Sequence, residues 1–147
     1  MWIALALITW PWHSQRLYQT PFAWIASLIL FTLAISIYRR TGREFGRDNL
    51  IGQAELRASS QQRLVTTGMH ARVRHPIYLA HLCMLLGWTA GSGLLADYAL
   101  LIFALVTGAV MVRMEERELE GRFGHEFRNY RMRVPAVLPT RAPKIHP

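Results

Sequence analysis

The sequence predicts an all-α integral membrane protein with about four transmembrane helices, and three observations lead to this fold class. Hydrophobic residues make up 52% of the 147 residues and charged residues only 18%, against about 25% charged residues in a typical soluble domain. The apolar residues are gathered into long uncharged runs, and most basic residues lie between or after those runs. The length corresponds to about one domain and excludes a soluble multidomain enzyme.

The first two candidate membrane helices lie in the N-terminal part of the chain. Residues 22–38 are seventeen residues without a charge, and Pro21 suits the first turn of a helix. At about 1.5 Å per residue this run spans about 25 Å, just enough to cross a bilayer core of about 30 Å with polar flanks. Residues 1–12 are short and lack both a basic n-region and a small-residue cleavage site. They predict a short or tilted first helix rather than a signal peptide.

The third and fourth candidate helices follow each other closely. Residues 77–96 and 98–112 are uncharged runs of twenty and fifteen residues, and only Asp97 divides them. The helix breakers Gly91 and Gly93 lie just before that division, and the run from Gly91 to Gly93 carries no phosphate-loop pattern. We therefore predict a tight helical hairpin with its turn in this region.

The basic residues set the predicted orientation in the membrane. The chain has 17 basic and 9 acidic residues, a formal net charge of +8, and Lys144 is its only lysine. Eight arginines fill the segment between the second and third helices: Arg39, Arg40, Arg43, Arg47, Arg57, Arg63, Arg72 and Arg74. The other bases, apart from Arg16, follow Val112. By the positive-inside rule these segments and both termini are cytoplasmic, where anionic lipid headgroups supply the counter-charge.

Several kinds of chemistry are excluded or disfavoured by the residue types present. The basic residues form no stripe interleaved with stacking aromatics, so nucleic acid is not a predicted partner. A single cysteine, Cys83, excludes a disulfide framework and a cysteine-based zinc site. His81 lies inside a predicted span, six residues after His75 and on a different side of the helix. We predict no metal site and interpret His81 and Cys83 as packing residues.

The first candidate for chemistry is the run Arg74-His75-Pro76-Ile77-Tyr78 at the mouth of the third helix. Pro76 is suited to the first helical position, which places His75 at the cap. A helix start presents free backbone N–H groups and the positive end of the helix dipole, which suit carboxylate or phosphate oxygens. The alternative is that Arg-His-Pro simply begins a helix at the membrane surface.

The second candidate is the pair Glu115-Glu116, where the fourth helix leaves the membrane. Adjacent carboxylates at this point could hold a cationic ligand. The alternative is a solvated helix with salt bridges, because Glu118 and Arg122 are four residues apart and Arg113 and Glu116 three. Beyond the pair, apolar residues recur every three or four positions and predict one stripe, which lies on the bilayer or closes a pocket. The stripe comprises Leu119, Phe123, Phe127, Tyr130 and Val134.

The order and spacing of these motifs resemble the isoprenylcysteine carboxyl methyltransferase family and its bacterial relatives, which are similar in turn to phospholipid N-methyltransferases. The matching elements are Gln62 to Gly68, Arg74 to Tyr78, Glu115-Glu116 with Leu119, Phe123-Gly124, Tyr130, Arg133-Val134-Pro135 and Leu138-Pro139. The resemblance covers slightly over half of the chain. It divides the chain into N-terminal helices and connector (1–61), a methyltransferase core (62–139) and a tail (140–147).

The resemblance implies a membrane enzyme that uses S-adenosylmethionine, with a cytoplasmic cofactor site formed by the C-terminal half and a lipid-like or prenylated acceptor entering from the bilayer. The cofactor contacts it implies are Gln62, Arg63, Leu64, Val65, His70, His75, Pro76, Ile77, Tyr78 and Glu115. Two positions depart from the family pattern: His70, where Tyr is common, and Ala80, where Gly is common.

The remaining candidate roles concern the acceptor. Arg133, and less directly Arg113, could hold an acceptor carboxylate or phosphate. A carboxylate acceptor needs no general base, whereas an amine must first lose a proton; Glu116 or His70 could then take it. The sequence selects no acceptor among prenylated cysteine, phospholipid amines and small thiols. An NADPH-dependent sterol-type reductase and a non-catalytic membrane adaptor are the competing hypotheses, and the oligomeric state stays open.

Overall fold

The computed structural model describes residues 14–45 and 64–139, which form three α-helices. These are α1 (Pro21–Phe45), α2 (Pro76–Ser92) and α3 (Leu95–Arg133), with a short 3₁₀ helix over Gly68–Ala71. The described residues contain no β-strand beyond a single bridge between Arg16 and Leu94. The predicted first helix, at residues 1–12, and the tail at 140–147 lie outside the described residues.

Two of the helices, α1 and α3, are long and apolar enough to cross a membrane. Their most apolar 18-residue windows have mean hydropathies of 1.9 and 2.1. Only 17% and 11% of these windows is buried within the chain, so neither helix is the core of a soluble protein. An exposed apolar surface of this extent is typical of a membrane or protein interaction surface. The all-helical fold is thus confirmed for the described residues, and its two candidate spans are consistent with a membrane protein.

The main helix interface joins α1 to α2 through small residues. On α2, Ala80, Cys83, Gly87 and Gly91 are buried at spacings of three and four. The buried residues of α1, which packs against α2, include Ser27, Ala34, Ile37 and Thr41. A Cβ added at Gly91 would lie 2.6 Å from Ser27 Oγ and 2.9 Å from the Trp24 ring. Small residues let membrane helices approach closely, so Gly87 and Gly91 form a GxxxG-type contact within one chain.

The tight hairpin predicted near Gly91 and Gly93 joins α2 to α3. Gly93 ends α2 in the left-handed conformation with φ 61°, so the helix stops before the uncharged run does. Asp97 belongs instead to the first turn of α3, where its carboxylate accepts a 2.5 Å hydrogen bond from Ser92 Oγ. A residue that precedes α1 also stabilises the turn, because Gly93 O accepts a hydrogen bond from Leu17 N–H at 2.9 Å.

The second half of α3 does not continue in a straight line. Gly124 has φ 51° and ψ −116°, a backbone conformation that interrupts the helix and is nearly restricted to glycine. The predicted apolar stripe is therefore split at this point. Beyond the break, Phe127 and Tyr130 are buried, and the segment ends near the beginning of α2. The stripe thus packs within the protein over this stretch instead of lying on the bilayer.

We expect the α1–α2 interface to distinguish two glycines. Gly91→Ala forces a methyl group against Ser27 and Trp24, and overpacking of this kind costs about 1–3 kcal/mol. Gly108→Ala in α3 is the matched control, because a Cβ there meets nothing within 4 Å. Thermal unfolding in detergent should show a lower midpoint for Gly91→Ala and an unchanged or higher one for Gly108→Ala. Equal midpoints would contradict the close helix approach.

Candidate functional site

The beginning of α2 has the capping arrangement that the sequence predicts. His75 is the N-cap and Pro76 occupies the first turn. The preceding loop is fastened to the C-terminal segment, because Arg74 N–H donates to Pro135 O and His75 N–H to Ala136 O, both at 2.9 Å. Pro76 has no N–H group, so the free donors of this helix start are those of the next residues in the first turn.

Glu116 is the centre of a buried ion-pair network. Its side chain is 11% exposed, and its Oε1 lies 2.7 Å from Arg74 Nη2 and 3.3 Å from His75 Nε2. Its other oxygen lies 3.7 Å from Nε of Arg131, which comes after the Gly124 break. These long-range partners, and not the solvated pair with Arg113 that was the alternative, hold Glu116. One carboxylate thus joins the loop before α2, the middle of α3 and the end of α3.

Glu115 faces the other side of the same imidazole. Its Oε2 lies 3.5 Å from His75 Nδ1, and its side chain is 46% exposed. The Tyr78 ring packs edge-on against His75 with a centroid distance of 5.7 Å. Both ring nitrogens of His75 therefore face carboxylates, but only Glu115 keeps a large exposed fraction. Glu115, which also accepts a hydrogen bond from Tyr78, is therefore the more accessible of the two carboxylates.

A second cluster surrounds His70, on the 3₁₀ helix. Glu44, near the end of α1, accepts from Met69 N–H at 2.8 and 3.0 Å, and its Oε2 lies 3.9 Å from His70 Nδ1. The Tyr130 hydroxyl donates to His70 O at 2.6 Å. Gly68 has φ +60°, and a Cβ there would overlap the Glu44 carboxylate. The left-handed glycine therefore brings Glu44 and His70 together.

The structure brings some of the predicted site residues together and leaves others apart. His70, His75, Tyr78, Glu115 and Glu116 gather where α1, α2 and α3 meet. Pro76 is buried beside them, and Leu64, Val65 and Ile77 are half-buried. Arg113 and Arg133 are exposed, and Arg133 Nε donates to Asn129 O of its own helix at 3.2 Å. Gln62 and Arg63 lie outside the described residues.

Two residues of this cluster, Arg131 and Glu44, are absent from the sequence-based candidates, and Arg74 is included there only as part of the Arg-His-Pro run. The position of Arg74 next to His75 is a usable signal. Arg131 and Glu44 carry no such signal. Glu44 lies 25 residues before Met69, its hydrogen-bond partner, and Arg131 is brought back to Glu116 only by the break at Gly124.

Comparison with known proteins agrees with this arrangement. The family model described as phospholipid methyltransferase matches residues 22–126, which include α1, α2 and both glutamates. The chain belongs to this family. The membership is consistent with the resemblance to bacterial membrane methyltransferases that the motifs indicate. No solved structure matches the chain.

Three curated relatives are similar to the chain. It is 29% identical to methanethiol S-methyltransferase 1 of Bradyrhizobium diazoefficiens, over 95% of this chain and 52% of that protein. It is 26% identical to methanethiol S-methyltransferase of Crocosphaera subtropica, over 93% of this chain and 57% of that protein. A cobalt-zinc-cadmium resistance protein of Cupriavidus metallidurans is 42% identical over 52% of this chain and 35% of its own length. The chain therefore spans about half the length, or less, of these relatives.

The Glu116 network should be visible in stability measurements. Glu116→Gln leaves the Arg74 guanidinium, 8% exposed, without its carboxylate, and breaking a buried pair costs about 3 kcal/mol or more. Glu118→Gln is the matched control, because its pair with Arg122 is exposed and such pairs contribute less than about 1 kcal/mol. Unfolding in detergent should separate the two variants. A similar small effect of both would show that Glu116 is not essential to the fold.

Proposed function

We propose that the protein is an S-adenosylmethionine-dependent membrane methyltransferase whose cofactor binds at the beginning of α2. The observation that carries this proposal is the placement of Glu115 beside His75 at a helix N-terminus, within a chain of the phospholipid methyltransferase family. The family match supports methyl transfer over the sterol-type reductase and adaptor hypotheses.

The chemistry of the donor set fits the cofactor. The amino-acid part of S-adenosylmethionine carries one ammonium and one carboxylate. Glu115 offers a half-exposed carboxylate for the ammonium. The N-terminal turn of α2, after Pro76, offers backbone N–H groups and the positive helix dipole for the carboxylate. The side chains of His70 and Tyr78, and the segment at Leu64 and Val65, are then candidates for contacts with the rest of the cofactor.

In this proposal the protein contributes positioning and exclusion of water. When bound, the cofactor supplies a methyl group on a positively charged sulfur, which is transferred by in-line displacement. Glu116 holds Arg74 and His75 in place, and the C-terminal segment covers the loop before α2 through the carbonyls of Pro135 and Ala136. Fixing donor and acceptor in line accounts for a large part of the rate of such a reaction. We further propose that this end of the bundle is cytoplasmic, since Arg39, Arg40 and Arg43 lie in the C-terminal part of α1, close in sequence to Glu44.

A small thiol is the acceptor that we favour. Relatives named methanethiol S-methyltransferase align with 93–95% of the chain. A lipid-like acceptor is the second candidate, because the family is described by its phospholipid substrates. A prenylated cysteine belongs to this class, and its carboxylate would need a cation such as Arg133 or Arg113. Both acceptor types are lipophilic and would enter from the bilayer.

Methyl transfer can be followed with S-adenosylmethionine labelled on its methyl group. Membranes containing the protein, compared with membranes lacking it, should release a labelled volatile thioether when supplied with a small thiol. Label released as methanol by mild base would instead indicate a carboxyl ester, and base-stable label in the lipid fraction would indicate phospholipid methylation. No transfer to any of these acceptors would contradict the proposed activity.

Binding of the cofactor should depend on Glu115. We expect Glu115→Gln to weaken binding of S-adenosylhomocysteine at least tenfold in detergent, because one charge-assisted hydrogen bond is worth about 1.5–3 kcal/mol. Glu118→Gln, on the exposed face of the same helix, should leave the affinity unchanged. Isothermal titration calorimetry measures both. Equal affinities for the two variants would place the ammonium site elsewhere.

A further inference from the structure

The chain after the break at Gly124 turns back along α3. The Glu120 carboxylate lies 3.5 Å from Nη1 of Arg128 and 3.6 Å from Nη1 of Arg131. Arg131 Nε also lies 3.7 Å from Glu116 Oε2, one turn earlier in α3. Later residues thus pair with earlier ones, which is the pattern of two antiparallel segments. We call residues 125–138 the return segment.

The end of the return segment lies at the level of the membrane surface. The first charge after the uncharged run of α3 is Arg113, which places the edge of the hydrocarbon core near Val112. Glu116 is four residues beyond Val112, at most about 6 Å further along the helix axis. The headgroup layer of a bilayer is roughly 5–8 Å thick on each side. Arg131, paired with Glu116, therefore lies at the depth of the lipid headgroups.

A second attachment leads to the same level from the other side of the site. The carbonyl oxygens of Pro135 and Ala136 accept hydrogen bonds at 2.9 Å from the backbone N–H groups of Arg74 and His75. The uncharged run of α2 begins directly after this loop, at Ile77. One attachment on α3 and one at the beginning of α2 thus hold the end of the return segment where charged sequence gives way to apolar sequence.

The side chains that the return segment exposes at this level suit an interface between lipid and water. Met132 is 79% exposed and Leu138 56% exposed, whereas Phe127 of the same segment is buried in the protein. Arg133 is exposed as well. Its Nε donates to Asn129 O, and its guanidinium is in no ion pair with the residues that the structure describes. Two apolar side chains and one arginine therefore point away from the protein here.

We infer that the return segment binds the surface of the bilayer that α1 and α3 cross. Met132 and Leu138 lie at the boundary of the acyl chains, and Arg133 binds the phosphate of an anionic phospholipid. Charge complementarity supports this partner, because the chain has a net charge of +8 and the exposed Arg113 lies at the same depth. Apolar side chains beside basic ones are typical of segments in a membrane interface. The contact depends on α3 crossing the membrane and not on methyl transfer.

The depth of the return segment can be measured with single-cysteine variants that carry an environment-sensitive fluorophore, in liposomes of zwitterionic and anionic phospholipids. Cys83→Ala first removes the native thiol. We expect fluorophores at Met132→Cys and Leu138→Cys to be quenched by nitroxide-labelled lipids and protected from iodide in the water. His125→Cys is the matched control, because His125 is an exposed residue at the far end of the same segment. Its fluorophore should show the opposite pattern.

Three outcomes of this measurement would overturn the inference. Equal access of iodide to Met132→Cys and His125→Cys would leave the exposed face to solvent or to a protein partner. Lipid quenching at both positions would show a segment that lies flat on the membrane and does not return along α3. Ile102, 63% exposed within the uncharged run of α3, reports on the span itself. Iodide quenching at Ile102→Cys would show that α3 does not cross the bilayer.

The charge of Arg133 should select the lipid. Nitroxide-labelled anionic and zwitterionic lipids, compared at equal amounts, give the preference for the anionic lipid next to the fluorophore at Met132→Cys. Arg133→Gln should lower this preference about fivefold, the equivalent of about 1 kcal/mol for one basic residue at an anionic surface. An unchanged preference would overturn the phosphate contact.

Arg122→Gln is the matched control for this charge effect. Arg122 is ten residues beyond Val112, about 15 Å along the helix, where salt largely screens the potential of the headgroups. Its loss should leave the lipid preference unchanged. An equal decrease in Arg122→Gln and Arg133→Gln would show a general effect of net charge and overturn the specific role of Arg133.

These measurements fail separately from the proposed function, because none of them reads methyl transfer. The expected label depths in a protein that methylates none of the acceptors would support the membrane contact and contradict only the proposed function. Water-exposed labels at Met132→Cys and Leu138→Cys in a protein that does transfer methyl groups would overturn the membrane contact alone.

Discussion

The candidate site depends on one buried carboxylate, that of Glu116. A charge at this depth is tolerated only when it is paired, and its partners Arg74 and His75 lie about forty residues earlier in the chain. Satisfying Glu116 therefore brings the middle of α3 against the loop before α2. Arg131 adds the end of α3 to the same carboxylate, and the carbonyls of Pro135 and Ala136 complete the attachment. The position of His75 is a consequence of this network.

Two consecutive glutamates then have different environments for a geometric reason. Neighbouring residues on an α-helix point about 100° apart, so the direction that buries Glu116 against Arg74 leaves Glu115 at the rim. There it is 46% exposed, lies 3.5 Å from the outer nitrogen of His75 and accepts a hydrogen bond from Tyr78. The same imidazole separates the two carboxylates. Glu116 is thus the buried, structural carboxylate of the pair, and Glu115 is the accessible one.

Local signals in the sequence predict the helices and the cap of α2, because the backbone conformation of a long uncharged run or of a His-Pro pair depends mainly on residues close by in the chain. The helix breakers Gly91 and Gly93 likewise predict the hairpin turn, which the structure places at Gly93. Local signals miss Glu44, whose partners are reached only through the fold. They also leave open whether Glu116 pairs with Arg113 on a solvated helix, because the partner that burial selects, Arg74, is distant in the chain. The roles of Arg133 and Arg113 toward an acceptor stay a prediction.

The weak burial of the apolar part of α3 indicates which contacts determine the position of this helix. In a bilayer there is no hydrophobic force between helices, so close packing and polar contacts determine how they associate. Close packing is supplied between α1 and α2 by Gly87 and Gly91, whereas the apolar window of α3 is only 11% buried. The position of α3 is then determined mainly at its ends, by the Gly93 turn and the Glu116 network.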